Sequence, residues 1–219
     1  AQQPDEPSEE EQIEPSKAEI VREIEAAREE SVKRFQMSDG TILAAQYPSA
    51  VHYLEDGQWK DIDNSLTEES AVDGDDEDGY QSAENPLQVK FAKKYDAKKL
   101  VKIKMDNYQL SWSFSGANST KAKNAKVQTE TDTEDAADED PTNLKKLTSG
   151  VTYADIQDGV DLEYILSSNT LKENIIVKKK LDDYSFELVL RPKKLTPVLR
   201  EDNTIDFVND AQEVVFQIP

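Results

Sequence analysis

The sequence contains no cysteine, and its 219 residues include only one histidine, two methionines and seven glycines. The absence of cysteine excludes disulfide bonds, thiolate metal sites and thiol nucleophiles. No apolar run approaches the roughly 20 residues that a membrane-spanning helix needs, so we expect no membrane insertion. The chain has neither an initiating Met nor the apolar core of a signal peptide, which predicts a mature or excised fragment.

Recognisable catalytic motifs are also missing. The sequence has no G-x-S-x-G nucleophile elbow and no glycine-rich loop that could cradle a phosphate. His52 lies in an alternating segment that places it opposite its apolar neighbours, on a solvent-facing side, where a structural histidine is favoured over a catalytic one. We therefore predict a protein that is not an enzyme and that has no catalytic, metal-binding or cofactor-binding residues.

The charge balance is strongly acidic. Asp and Glu total 46 residues against 26 Lys and Arg, which gives a net charge of −20 at pH 7. Nucleic-acid binding depends on cations that neutralise phosphates and release counterions, so this balance predicts no nucleic-acid partner. The excess of acid instead suits solubility and attraction to a basic protein.

The first 36 residues are predicted to form a tail and a helix. Residues 1–15 are rich in Glu, Pro and Gln, which indicates a disordered acidic tail. Ser16 and Glu19 have the spacing of a capping box, and residues 16–36 continue with a helical period. Two pairs of opposite charge, four residues apart, support this helix: Glu29 with Lys33 and Glu30 with Arg34.

The rest of the chain, residues 37–219, predicts a mainly β body. Short alternating segments follow one another without intervening helices, which favours an antiparallel β-sandwich. Asp56-Gly57 is a strong two-residue hairpin signal. The predicted strands are residues 41–47, 50–55, 58–62, 87–91, 100–105, 108–114, 151–155, 160–166, 171–178, 184–190, 195–200, 204–208 and 213–218. Further predicted turns are Asp106-Asn107, Asp158-Gly159, Ser168-Asn169, Asp182-Asp183 and Asp202-Asn203.

Two acidic stretches with few apolar residues interrupt this body. Residues 67–79 predict a long exposed loop, and residues 115–143 predict a longer, disordered one. The second loop leaves two arrangements open: one sandwich, or two lobes made of residues 37–114 and 144–219.

Three sets of residues have the composition of a binding site, and each also has a structural explanation. The run from Asp73 to Glu84 resembles an EF-hand loop, but Asp78 stands where that loop requires glycine, which favours a solvated loop. The aromatic set could line a sugar platform, although strand packing is favoured; it consists of Tyr53, Trp59, Tyr108 and Trp112. The basic set could equally protect a sheet edge from aggregation; it consists of Lys90, Lys93, Lys94, Lys98 and Lys99.

A resemblance to a known group rests on two parts of the chain. Residues 57–66 read GQWKDIDNSL, preceded by Tyr47-Pro48 and Val51-His52-Tyr53. Residues 151–153, 159–164, 171–175 and 215–219 carry VTY, GVDLEY, LKENI and VFQIP. These motifs resemble a segment of very large secreted clostridial proteins that often carry DNRLRE or RHS-type wall-associated regions, over about residues 40–219 without the acidic loops.

The resemblance implies a secreted or wall-attached protein of a Gram-positive bacterium. Some gut members of the group resemble B-cell superantigens, which bind immunoglobulin variable domains. The expected function is therefore a non-enzymatic surface module that binds host immunoglobulin Fab, with no contact residue assigned. Two alternatives stay open: a scaffold segment of an RHS-like wall-associated protein, which predicts no soluble partner, and a carbohydrate-binding module, which requires an exposed Trp59 or Trp112.

Overall fold

The computed structural model describes residues 18–70, 78–116, 123–129, 142, 144 and 146–219. This part of the chain is built from antiparallel strands and one short 3-10 turn, Glu25–Ala27. The first nine strands are β1 (Ile20–Glu23), β2 (Val32–Met37), β3 (Ile42–Gln46), β4 (His52–Glu55), β5 (Gln58–Asp61), β6 (Asp63–Glu69), β7 (Gly79–Glu84), β8 (Gln88–Ala92) and β9 (Val101–Met105). The others are β10 (Tyr108–Phe114), β11 (Lys126–Thr129), β12 (Thr148–Gln157), β13 (Val160–Ser167), β14 (Thr170–Val177), β15 (Leu188–Lys193), β16 (Thr196–Leu199), β17 (Ile205–Val208) and β18 (Val214–Ile218).

The strands form five sheets within the described residues. The largest has six strands in the order β15-β10-β9-β8-β7-β6, and the next has four in the order β11-β12-β13-β14. Two sheets have three strands each, β1-β2-β3 and β16-β17-β18, and β4 pairs with β5 alone. Strand β15 therefore lies in the same sheet as β6 to β10, although the 115–143 stretch separates them in sequence.

The six-stranded and four-stranded sheets share one hydrophobic core. Every second residue of β13 is buried, as is every second residue of β12 from Ser149 to Tyr153, which the alternation predicts for strands with one covered face. Tyr164 of β13 contacts Phe91 of β8 and Trp112 of β10, with ring centroids 5.6 and 6.2 Å apart. Phe207 and Phe216, from the three-stranded sheet β16-β17-β18, belong to the same core.

The prediction of a mainly β, antiparallel chain is confirmed, but the N-terminal helix over residues 16–36 is wrong. Its described part forms β1, the 3-10 turn and β2. Ile20, Val21 and Val32 are β-branched and favour strands, and pairing of β2 with both β1 and β3 buries Val32 and Phe35. The expected helical pairs are replaced: Arg34 binds Glu29 at 2.6 Å, and Lys33 binds Asp61 at 2.6 Å.

Most predicted turns have the expected conformation. Asp56 and Gly57 both have positive φ, 51° and 78°, as the primed turn of a two-residue hairpin requires. The turns before β10, β13, β14 and β17 are confirmed by the antiparallel pairing of the strands that flank them, and in each dipeptide one residue has positive φ: Asp106, Gly159, Ser168 and Asn203. At Asp182-Asp183 no hairpin forms, since residues 178–187 contain no strand and the predicted strand 184–190 lies later, at Leu188–Lys193.

The acidic stretches are only partly loops. Strand β6 extends to Glu69, into the stretch 67–79, because Glu69 pairs with Gly79 of β7. Strand β11 forms within the stretch 115–143, where disorder was predicted, since Val127 pairs with Val151 on β12. The tail 1–15 lies outside the described residues, as do residues 71–77 of the first stretch and residues 117–122, 130–141 and 143 of the second. Among the described residues, no helix is long and apolar enough to cross a membrane.

Candidate functional site

Members of two of the three candidate sets from the sequence belong to the folded framework, while Tyr53, Trp59 and Tyr108 are half-buried. Trp112 is buried, and its indole N–H donates to the Tyr164 hydroxyl at 3.0 Å, so it offers no platform for a sugar. Two members of the basic set are paired with the acidic strand β6: Lys90 lies 3.3 Å from Glu69, and Lys93 lies 2.9 Å from Glu68. Because β8 is internal to its sheet, Lys90 does not protect a sheet edge.

Residues 73–77 of the EF-hand-like run lie outside the described part of the chain, and its second half, Gly79–Glu84, forms strand β7. Glu84, its last acidic residue, accepts a hydrogen bond from the Tyr53 hydroxyl at 3.0 Å. Among the described residues no group of three or more His, Asp or Glu side chains is arranged to hold a metal ion.

Within the described residues, a dense group of ionisable side chains surrounds His52. This His52 cluster consists of Glu23 on β1, Arg28 after the 3-10 turn, Lys33 on β2, His52 on β4 and Asp61 on β5. His52 is buried, which corrects the prediction of a solvent-facing histidine. Leu54, on the same face of β4, is 59% exposed, because the β4–β5 hairpin is covered only at its open end.

Backbone hydrogen bonds dock that open end. The N–H groups of Val51 and His52 both donate to the carbonyl of Glu30, at 2.8 and 3.0 Å. The His52 Nδ1–H donates to the carbonyl of Glu29 at 2.6 Å. Because a carbonyl can only accept, this bond fixes the tautomer of the neutral imidazole, with the proton on Nδ1 and Nε2 unprotonated.

The free nitrogen of His52 faces two carboxylates. Nε2 lies 3.5 Å from Asp61 Oδ1 and 3.8 Å from Glu23 Oε1, and it makes no hydrogen bond within the described structure. Burial lowers the pKa of His52, and this outweighs the opposing effects of the Glu29 carbonyl and the Asp61 charge. The imidazole is therefore neutral at pH 7.

Two cations neutralise the two carboxylates. Arg28 binds Glu23 in a bidentate manner, with Nε and Nη2 at 2.7 and 3.0 Å, and its Nη2 also lies 3.0 Å from Asp61 Oδ2. Lys33 Nζ lies 2.6 Å from Asp61 Oδ1 and 3.7 Å from Glu23 Oε2. The cluster thus has no net charge and ties four strands together.

The cations also control the pKa values of the carboxylates. Burial alone would raise the pKa of Glu23, but the hydrogen bond from Arg28 and the charges of Lys33 and Arg28 lower it below its ordinary value. The pKa of Asp61 is lowered in the same way, with burial opposed by Lys33, Arg28 and His52. Acidic and basic groups next to an imidazole are the kinds of residue that transfer protons, yet each is already engaged by its neighbours.

A second buried polar group, which we call the amide network, consists of Asn64, Asn85 and Ser168. The Asn64 side-chain amide donates to the carbonyls of Leu147 and Ser168 at 2.7 and 2.9 Å. The Asn85 amide donates to Asn64 Oδ1 and to the same Ser168 carbonyl at 2.6 and 2.7 Å. The network joins residues more than 80 positions apart, so it holds the two halves of the chain together.

Sequence reasoning missed most of these residues. The two-residue turn at Asp56-Gly57 requires that His52 oppose Asp61, so this pair could have been found from the hairpin register alone. The sequence could not indicate that Glu23, Arg28 and Lys33 lie beside this pair. The predicted helix over residues 16–36 does not contain the strands β1 and β2 that bring them there. Asn64 stands in the DIDNSL motif, which identified the resemblance and indicated no structural role.

Comparison with known proteins gives a limited result. No family model matches the chain, and no solved structure matches it. Two curated relatives from Bacillus subtilis, named tRNA nuclease WapA in strain 168 and tRNA(Glu)-specific nuclease WapA in subsp. natto strain BEST195, are each 24% identical over 199 residues. The chain is similar to tRNA nucleases. The alignment covers 90% of this chain and 8% of each relative's length.

These relatives overturn three expectations from the sequence. Proteins named as tRNA nucleases conflict with a non-enzymatic module that binds host immunoglobulin Fab, and with the prediction that the protein is not an enzyme. They also conflict with the exclusion of nucleic acid. That exclusion failed because a net charge summed over 219 residues says nothing of the much longer proteins that the chain resembles. The scaffold and carbohydrate-binding alternatives gain no support from the comparisons.

Proposed function

We propose that this chain is a folded segment of a larger nuclease that acts on tRNA. The observation that carries the proposal is the similarity to two WapA tRNA nucleases over 90% of the chain. Because the chain spans about 8% of those relatives' length, we propose the activity for the longer protein as a whole.

Within that protein, the proposed role of the His52 cluster is positioning. Its two cations are neutralised by Glu23 and Asp61, which leaves no excess positive charge for a phosphate. The imidazole side chain has no exposed surface, so a substrate would have to displace the β4–β5 hairpin to reach it. The arrangement supports a cluster that orients this hairpin on the sheet β1-β2-β3.

The proposed architecture of the segment is a β-sandwich. Its support is the core shared between the six-stranded and four-stranded sheets, with Tyr164 in contact with both Phe91 and Trp112. Secretion or attachment to a cell wall, implied by the resemblance to clostridial proteins, stays a prediction, as does the division into two lobes.

A cleavage assay tests the proposed activity. The longer protein that contains this chain is incubated with purified tRNA at neutral pH, and the products are separated on a denaturing gel. We expect tRNA to be cut into discrete fragments, while a DNA oligonucleotide of equal length stays intact. Intact tRNA after incubation with a folded, full-length protein would overturn the proposal.

A substitution in the longer protein tests the role of the cluster. Asp61→Asn removes a carboxylate that both Lys33 and Arg28 bind. A positioning role predicts that cleavage and melting temperature fall together, and that cleavage recovers at lower temperature. Loss of cleavage with an unchanged melting temperature would contradict that role, because it would place Asp61 in contact with the substrate. Glu55→Gln, at the exposed end of the same hairpin, is the matched control.

A further inference from the structure

Exposed sheet edges in native proteins usually carry features that prevent the pairing of a further strand, such as charges, proline or bulges. Almost all edge strands in the described residues have such a feature. They are β1 with Arg22 and Glu23, β4 with Glu55, β5 with Lys60 and Asp61, β6 with Glu68 and Glu69, β11 with Lys126, β14 with Lys172 and Glu173, β15 with Arg191 and Pro192, and β16 with Pro197. Strand β18 is uncharged, but a register shift lies opposite it and Pro219 follows it directly.

Strand β3 has none of these features. Its sequence, ILAAQ, contains no charge and no proline, and its five pairs with β2 follow one another without a register shift. Ile42 is 63% exposed and Leu43 is 38% exposed, and consecutive residues of a strand point to opposite faces. Both faces of this edge therefore present an apolar side chain to solvent.

The hydrogen-bond register shows which backbone groups of β3 face outward. The N–H of Met37 donates to the carbonyl of Thr41, and the N–H of Tyr47 donates to the carbonyl of Ser31, both at 2.9 Å. In an antiparallel pair, every second residue forms backbone hydrogen bonds with the neighbouring strand. Since residues 41 and 47 bond to the β2 side, the odd-numbered residues between them, Leu43 and Ala45, do so as well. The N–H and C=O groups of Ile42, Ala44 and Gln46 then point away from β2, where no strand of the described chain pairs with them.

We propose that β3 is a docking edge that accepts a further β-strand from another part of the longer protein. The inference rests on the proposed function, since about 92% of each WapA relative lies outside the aligned region. An added strand pairs its backbone with the outward groups of Ile42, Ala44 and Gln46, and its side chains cover Ile42 on one face and Leu43 on the other. The matching strand therefore carries apolar residues on both faces, opposite Ile42 and Leu43.

The charge of the chain favours this occupant over a second copy of the same chain. Two copies joined through β3 would each bring a net charge of −20. Repulsion between such charges opposes self-association at moderate salt. A strand of the same polypeptide is also held at a high effective concentration, which a second molecule is not.

Hydrogen exchange at residue resolution tests the proposal. The amides of Ile42, Ala44 and Gln46 are compared with the inward amides of Leu43 and Ala45, in the 219-residue chain and in the longer protein. We expect the inward amides to be protected in both proteins. The outward amides should exchange rapidly in the 219-residue chain and slow by at least about tenfold in the longer protein, as amides in a paired strand do.

A matched pair of proline variants strengthens the test. Ala44→Pro removes an outward N–H and leaves the β2–β3 bonds in place, whereas Ala45→Pro removes a bond to β2. Ala44→Pro should abolish the added protection of Ile42 and Gln46 in the longer protein while leaving the melting temperature of the 219-residue chain nearly unchanged. Ala45→Pro should lower the melting temperature of both proteins.

Two results would overturn the proposal. Outward amides that exchange as rapidly in the longer protein as in the 219-residue chain would show that no strand docks on β3. Protection in the 219-residue chain that rises with its concentration would identify a second copy as the occupant. Exchange is measured without tRNA, so a failure of the cleavage assay alone would count against the proposed nuclease and not against the docking edge.

Discussion

The centre of the described structure and its N-terminal region are stabilised in different ways. At the centre, large apolar and aromatic side chains fill the space between two sheets, and their few polar atoms are satisfied inside the core, as when the Tyr153 hydroxyl donates to the Ala92 carbonyl at 2.6 Å. In the N-terminal region, sheet β1-β2-β3 and the β4–β5 hairpin bury few apolar residues and are joined by the His52 cluster. The first region depends on burial and the second on charge, so they should respond differently to mutation, pH and salt.

The largest effect is expected at the centre. Phe91→Ala removes a fully buried ring that contacts Tyr164, and it should lower the free energy of unfolding by about 3–5 kcal/mol, through lost burial and the cavity that remains. Urea unfolding followed by tryptophan fluorescence measures the change. Ile176→Ala, at a position 39% exposed, is the control and should cost less than about 1 kcal/mol. Similar losses for the two variants would show that the centre is loosely packed.

The amide network should give the next largest effect. Asn64→Ala leaves the Leu147 carbonyl without its side-chain donor and takes from Asn85 the acceptor of one of its hydrogen bonds. Because these groups are buried, we expect a loss of about 2–3 kcal/mol in the free energy of unfolding. Gln88→Ala, an exposed position on β8, is the control. A loss no greater than that of the control would mean that water replaces the amide without cost.

The N-terminal region should be the part of the molecule that is sensitive to acid. Burial lowers the pKa of His52 from its usual value near 6.5, so the stability that its neutral form contributes is present above about pH 6.5 and is lost as the pH falls toward the lowered value. Glu23 and Asp61 also have lowered pKa values, so their contribution is present above about pH 4.5 and is lost as the pH falls through those values.

Urea midpoints measured between pH 8 and pH 3 test this order. His52→Gln should remove the decline that begins as the pH falls below about 6.5, and should leave the decline below pH 4.5. Asp61→Asn should reduce the decline below pH 4.5. Amide hydrogen exchange at pH 5 shows where in the molecule stability is lost, and we expect faster exchange in β4 and β5. An equal increase in the exchange rates of β12 and β13 would contradict a difference between the two regions.

The two regions also differ in how well the sequence predicts them. Strands β9 and β10 alternate cleanly between apolar and polar residues and are joined at the turn dipeptide Asp106-Asn107, so local pattern and final structure agree. Residues 16–36 satisfy helical rules just as well locally, yet their described part forms strands and a short 3-10 turn. Pairing of β2 on both sides and burial of Phe35 outweigh the small stabilisation from charged pairs four residues apart.

Long-range contacts explain what the sequence could not predict about the site. Asp61 can be placed opposite His52 by counting residues across a two-residue turn, since that contact is local. Glu23 lies near Asp61, with Arg28 bound to both, only because the β4–β5 hairpin docks on β1 and β2. The Asn64 side chain binds the Ser168 carbonyl across 104 positions. No short motif encodes such contacts. The charge of the chain was equally uninformative about nucleic acid, because it is a sum over residues and not a property of a site.

The smallest effect on stability is expected when an exposed ion pair is broken. Such a pair has the charges of the His52 cluster without its burial, so it tests which of the two matters. Hydrogen bonds from Lys123 and Lys178 lower the pKa of Asp155 to about 2, yet all three side chains are well exposed to solvent. Lys178→Gln should raise the pKa of Asp155 toward its usual value, measured by NMR titration of the carboxyl carbon, without a resolvable change in the urea midpoint at pH 7. A clear loss of stability would mean that this surface pair behaves like the half-buried His52 cluster, and that burial is not what distinguishes them.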